Sequence, residues 1–172
     1  FIALSGILLV SGQFEIAKKV IQGFAEYQDR NPTSPYYGRI PNRYVNKDDV
    51  IYNTADGTLW FIRAVYEYAQ YTGDKAFLEE MWPLICLAIE TNRNNTDKYN
   101  FLTHGDADTW MDARIEGKEP WSPRGNRGND IQALWYTALH CGSYIAMILG
   151  HEEESVLWKN TAYMLRLYFL EF

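Results

Sequence analysis

The chain is poor in cysteine and histidine, and it has no apolar stretch long enough to cross a bilayer. Only Cys86 and Cys141 occur in 172 residues. Each sits inside a helical pattern, so both read as buried thiols of a reducing compartment rather than as a disulfide framework. The three histidines, His104, His140 and His151, are scattered along the chain. The apolar opening, Phe1 to Val10, is too short to span a membrane and has no basic flank of the kind a signal peptide carries. Positive charge is also limited. Sixteen Lys and Arg stand against twenty-two Asp and Glu, interspersed, for a net charge of −6. No basic stripe marks a nucleic-acid surface. Gly-x-Ser-x-Gly, P-loop and dinucleotide fingerprints are absent. These absences lead us to expect a cytoplasmic protein with neither a membrane nor a nucleic-acid partner.

Aromatic residues are abundant. They make up 16% of the chain, with thirteen Tyr and six Trp, which is more than a plain helical core needs. Some are expected to be half-buried ligand platforms, because such rings join a flat apolar face to a polar handle. The length suits one domain, 1–172. The run Phe1 to Val10 reads as the end of a core helix that begins outside this chain, and the missing initiator Met agrees with a fragment.

Apolar periodicity near 3.6 recurs along the sequence. The stripes are Phe14-Ala17-Val20-Ile21-Phe24, Leu59-Ile62-Val65-Tyr66-Ala69, Phe77-Met81-Leu84-Ile85-Ala88, Ile131-Leu134-Trp135-Ala138-Leu139 and Val156-Trp158-Ala162-Leu165-Phe169. With the opening run they predict about six helices. Strand is expected only as a short hairpin near Tyr99 to His104. Three connections are tight and centred on glycine: Val10 to Gln13, Tyr71 to Asp74 and Leu149 to Glu152. Each glycine suits the left-handed position that ends a helix. The other two, Gln28 to Asn53 and Asn92 to Gly128, are long. Alternating short and long connections predict stacked helical hairpins with the long loops at one end. There Tyr44, Asn53, Trp110, Asp112 and Arg124 are expected to converge. An all-α toroid follows as the fold class, with three hairpins forming about half of a six-hairpin ring.

The stretch Thr103 to Arg127 is too long for an ordinary connection and is therefore expected to be functional. Trp110, Met111 and Trp121 are costly to leave in water, which argues against disorder. Carboxylates mixed with flat rings suit an uncharged polar ligand such as a sugar. Asp106, Asp108 and Asp112 do not form a calcium loop, since the sixth and twelfth positions counted from Asp106 hold Met111 and Gly117. Asp112, next to Trp110, has the makings of a general acid, because apolar surroundings keep a carboxylic acid protonated. Its plainer role is a turn cap. Thr54 or Asp56 is expected to cap the helix beginning near residue 56, while Asn53 and Asp56 are candidates for sugar hydroxyls. Asp130 suits the start of a helix.

Several segments together resemble the C-terminal amylo-α-1,6-glucosidase domain of bacterial and archaeal glycogen debranching enzymes. They are Phe1-Ile2-Ala3-Leu4, Ile40-Pro41-Asn42-Arg43-Tyr44, Tyr52-Asn53-Thr54-Ala55-Asp56 through Leu59-Trp60-Phe61, Thr109-Trp110-Met111-Asp112-Ala113, Ser122-Pro123-Arg124 and Ile131 to Tyr136. They occur in family order and cover nearly the whole chain.

The resemblance implies a glucoamylase-like (α/α)6 toroid and inverting hydrolysis of α-1,6 branch linkages in glycogen or limit dextrin, with no cofactor and no metal. It makes Asp112 the general acid and places Asn53, Asp56, Trp60, Trp110, Arg124, Asp130 and Trp135 at the substrate. The family's general base is a glutamate beyond Phe172, and Glu171, in an apolar helix end, is a poor substitute. Asp130 stands where the family usually has Glu, and Trp121-Ser122 precede Pro-Arg where Thr is commoner. The isolated chain is expected to be inactive and to self-associate through exposed edge helices. The alternatives are another toroid protein such as a sugar epimerase, which would need paired histidines, and a non-catalytic helical-repeat scaffold.

Overall fold

A computed structural model describes residues 1–171. The chain is mostly helical. After an opening π-helical segment, Ser5–Leu9, come α1 (Phe14–Ala25), α2 (Asp56–Thr72), α3 (Lys75–Asn94), α4 (Asn129–Leu149) and α5 (Glu152–Phe169). Two small antiparallel hairpins decorate the long connections: β1 (Arg43–Asn46) with β2 (Asp49–Ile51), and β3 (Arg114–Ile115) with β4 (Glu119–Pro120). The hairpin expected near Tyr99 to His104 is reduced to a single bridge between Thr96 and Leu102.

The three short turns end their helices as the sequence predicts. Gly12, Gly73 and Gly150 have φ of 74°, 67° and 86°, a region open to glycine but costly for residues with a Cβ. The opening segment departs from expectation. Leu4 and Leu9 are buried, but Ile2, Ile7 and Val10 lie exposed, so it is not a core helix within this chain.

Helices α2 and α4 are central, and their buried residues extend around most of the circumference. Helix α5 buries only Trp158, Ala162 and Leu165. Gly142 permits the closest helix approach. A Cβ there would lie 2.3 Å from Ile89 Cδ1 of α3 and 3.0 Å from Trp158 Cε3 of α5. Both neighbours are buried, so neither has free space to move into.

Tertiary contacts sort the connections into two poles. At the short-turn pole, Phe14 meets Tyr71 with ring centroids 6.4 Å apart. Trp82 stacks on His151 at 4.3 Å. Asp74 caps α3 by accepting from Phe77 N–H at 3.0 Å and pairs with Lys18 at 2.7 Å. The Lys18 ammonium, followed by the Phe77 N–H, holds the Asp74 carboxyl below its usual pKa. At the long-loop pole, Arg39 grips Asp108 through two bonds of 2.7 Å, and Asp108 O accepts from Ala55 N–H at 2.9 Å. The residue 28–53 loop, the start of α2 and the residue 103–127 loop are thereby tied at one point.

Two predictions follow from these poles. The folded pKa of Asp74 is depressed, so its stabilisation is present above the unfolded pKa and lost as pH falls through the folded value. Asp74→Ala should therefore cost about 1 kcal/mol at pH 7 and less at pH 3. Urea midpoints across that range check this, and a cost independent of pH would refute it. Arg39→Met should strip hydrogen-exchange protection from residues 103–112 and leave α4 protected, because a charged partner left unpaired costs about 1–3 kcal/mol locally. Uniform loss of protection would refute the localisation.

Candidate active site

A cavity of about 290 Å³ opens at the long-loop pole, lined by Asn42, Thr54, Asp56, Trp60, Trp110 and Asp112, with Phe1, Ile2 and Phe24 at its apolar side. The residues come from five stretches of chain distant in sequence. Helix α2 contributes Asp56 from its first turn and Trp60 one turn later. The residue 103–127 loop supplies Trp110 and Asp112, and the loop before β1 supplies Asn42.

The N-terminus of α2 faces this cavity without the expected cap. Its N-cap is Ala55, and no side chain accepts from its free N–H groups. Thr54 is buried, and its hydroxyl has no partner. Neither Thr54 nor Asp56 caps the helix, because the turn places Ala55 at the capping position. The helix end thus leaves unpaired donors beside the Asp56 carboxylate and the idle Thr54 hydroxyl, a polar floor with bonding capacity to spare.

The three loop aspartates differ in their partners. Asp106 pairs with Arg114 at 3.0 Å, and Asp108 is held by Arg39. Asp112 has no cationic partner among the described residues. Its carboxylate accepts only one long bond, 3.4 Å, from Asn53 Nδ2, and it is exposed. Trp110, expected to be covered, is 65% exposed, and Trp121 is 67% exposed. Both rings are largely open to solvent within this chain. The exposed Trp110 indole at the cavity edge is suited to a ligand with flat apolar faces.

The remaining sequence candidates lie elsewhere. Arg124 and Asp130 form a two-bond fork with each other, at 2.8 and 2.7 Å. Burial opposes ionisation of Asp130, but the Arg124 guanidinium together with the backbone N–H groups of Ile131 and Asp130 outweighs it and holds the carboxyl below its usual pKa. The same bond raises Arg124. The N-cap of α4 is Gly128, and Asp130, in the first turn, suits the helix start as the sequence predicts while it also pairs with Arg124. Trp135 is 0% exposed and is a core residue, with no face open to a sugar within this chain. Tyr44 stacks on Tyr27 at 4.5 Å and meets Phe24 edge-on at 4.9 Å, so it buttresses the cavity wall from behind.

The histidines are also spoken for or distant. His104 Nδ1 meets Gly105 O at 2.7 Å, and its Nε2 accepts from Gly128 N–H at 2.7 Å. That pattern fixes a neutral ring with its proton on Nδ1. None of the three histidines lines the cavity. The thiols are poor nucleophiles, because burial pushes both Cys86 and Cys141 up to about 12. No group of three or more His, Cys, Asp or Glu among the described residues is placed to hold a metal, and no described helix is long and apolar enough to cross a membrane.

Sequence reasoning missed Arg39 and Thr54. Arg39 pairs across 69 positions and has no periodic trace. Thr54 was read as a cap because its type suits one.

Compared with protein-family models, residues 1–170 match amylo-alpha-1,6-glucosidase. No curated protein matches the chain.

Proposed function

Since the chain belongs to the amylo-alpha-1,6-glucosidase family, a glycoside-hydrolase type of domain, we propose that Asp112 is the general acid for cleavage of α-1,6-glucosidic branch linkages. The observation that carries the reading is the distribution of charge in the long loop. Arginines neutralise Asp106 and Asp108 and leave Asp112 free at a cavity edged by two indoles. A carboxyl already gripped by a guanidinium cannot readily hold and deliver a proton; an unpaired one can.

The chemistry runs as follows. The terminal glucose of a branched α-glucan enters between Trp60 and Trp110, with its apolar ring faces against the indoles. Asn53 steadies the Asp112 carboxyl, and Asp56 and Thr54 meet sugar hydroxyls. Asp112 gives a proton to the glycosidic oxygen as the bond to the anomeric carbon breaks. A water on the opposite face adds to the carbon and loses its proton to a second carboxylate. Inverting enzymes keep the two carboxyls about 6.5–9.5 Å apart to admit that water. We assign this base to a glutamate outside the 172 residues, and the fold to three hairpins of a six-hairpin toroid. On that reading the isolated chain binds glucan and does not turn it over.

The lining carries two carboxylates, Asp56 and Asp112, and among the described residues no Lys, Arg or His side chain, which disfavours a phosphorylated sugar and offers no histidine pair for epimerase chemistry.

In a protein that carries the complete toroid, Asp112→Asn should lower kcat on a branched limit dextrin by about 10²–10⁴-fold, the usual worth of a general acid, with little change in oligosaccharide affinity. Glucose release and calorimetric binding measured together check this. Unchanged kcat would remove Asp112 from the mechanism. Loss of binding in step with kcat would make it a contact residue instead.

A further inference from the structure

A second polar cavity, of about 270 Å³, is lined by Ala55 but by neither Trp110 nor Asp112. The loop residues Pro35, Tyr37 and Arg39, helix residues Asn92 and Asn95 near the end of α3, and Asp108 form its principal walls. The Asp112 reading makes no use of it.

Its charge is balanced internally. Arg39 and Asp108 satisfy one another through their two 2.7 Å bonds. His104, also at the wall, has both ring nitrogens engaged, by Gly105 O and Gly128 N–H. An anion would meet the Asp108 carboxylate and a cation the Arg39 guanidinium, so the cavity favours neither.

Its hydrogen-bonding capacity is not used up. Asn92 and Asn95 each donate their amide N–H to their own helix, to Ala88 O at 2.8 Å and Thr91 O at 3.0 Å. That fixes the amides and leaves both side-chain carbonyls without a protein partner. The Tyr37 hydroxyl and Arg39 Nε–H also lack one among the described residues. These groups, with the Thr91 and Thr103 hydroxyl oxygens, line a space flanked by Pro35 and the half-open Tyr37 ring. Rings against polar groups that both donate and accept are what a polyhydroxylated, uncharged ring requires.

We propose that this cavity is a second carbohydrate subsite that holds one glucosyl residue of an α-glucan apart from the Asp112 cavity. The proposal rests on the reading of the chain as a glucan-acting domain. Its wall includes the Arg39–Asp108 fork, so an occupant also braces the loop that carries Asp112.

The test is a titration of the 172-residue chain with maltotriose, followed by ¹H–¹⁵N NMR. The side-chain amides of Asn92 and Asn95 should shift saturably. Tyr37→Ala should weaken that response about tenfold, while the Trp110 indole signal titrates as before; Tyr37→Phe should lie between. Movement of Trp110 with stationary Asn92 and Asn95 would overturn the second subsite and leave the Asp112 reading standing. Stationary signals at both places would overturn both. A response of Asn92 and Asn95 to sodium sulfate but not to maltotriose would overturn the neutral-sugar assignment.

Discussion

The two-pronged bond between Arg39 and Asp108 is the constraint on which the functional end of this molecule depends. The helices would pack without it, since their apolar stripes and glycine turns suffice. The loops would not hold their places. One guanidinium joins the residue 28–53 loop to the residue 103–127 loop, and its Nη1 also donates to Tyr52 O at 3.0 Å. The Ala55 N–H bond to Asp108 O draws the start of α2 into the same knot. Arg is suited to this because its planar fork matches a carboxylate in two bonds, and a lysine would hold only one point. Four residues after Asp108, the chain delivers Asp112 to the cavity.

That arrangement also explains how one loop carries three carboxylates without wrecking itself. Unpaired like charges in one short stretch repel. Asp108 and Asp106 are each matched to an arginine, one inside the fold and one at its surface. The remaining charge stands alone where a cavity opens. Its selection as the proposed proton donor is therefore a matter of where the arginines are, as much as of Asp112 itself.

The helical frame was legible because periodicity and turn chemistry are local properties. Gly12, Gly73 and Gly150 announce the tight turns, and the apolar stripes between them fold as helices. The alternation of short and long connections also brought Asn53, Trp110 and Asp112 to one end, as the tertiary contacts between loops bear out. Pairings across the chain were not legible. Nothing near Arg39 marks Asp108 as its partner, and Arg124 was read toward a sugar when its nearest carboxylate was Asp130. Trp135 carried the right residue type for a sugar platform, but its place on the buried side of α4 overrode type. The β1–β2 hairpin escaped because Tyr44-Val45 and Val50-Ile51 are too short a pair of runs to show alternation.

The glycine turns have a consequence for how such a chain can vary over evolutionary time. A residue inserted at Gly73 or Gly150 would move the glycine off the left-handed position that ends the helix and spoil the tight turn. A residue inserted between Arg114 and Glu119 would lengthen an exposed hairpin and disturb no helix. The two poles therefore tolerate opposite kinds of change. One is a fixed hinge line that preserves length, and the other is a margin where new loop can accumulate and new ligand preference can be tried without refolding the frame.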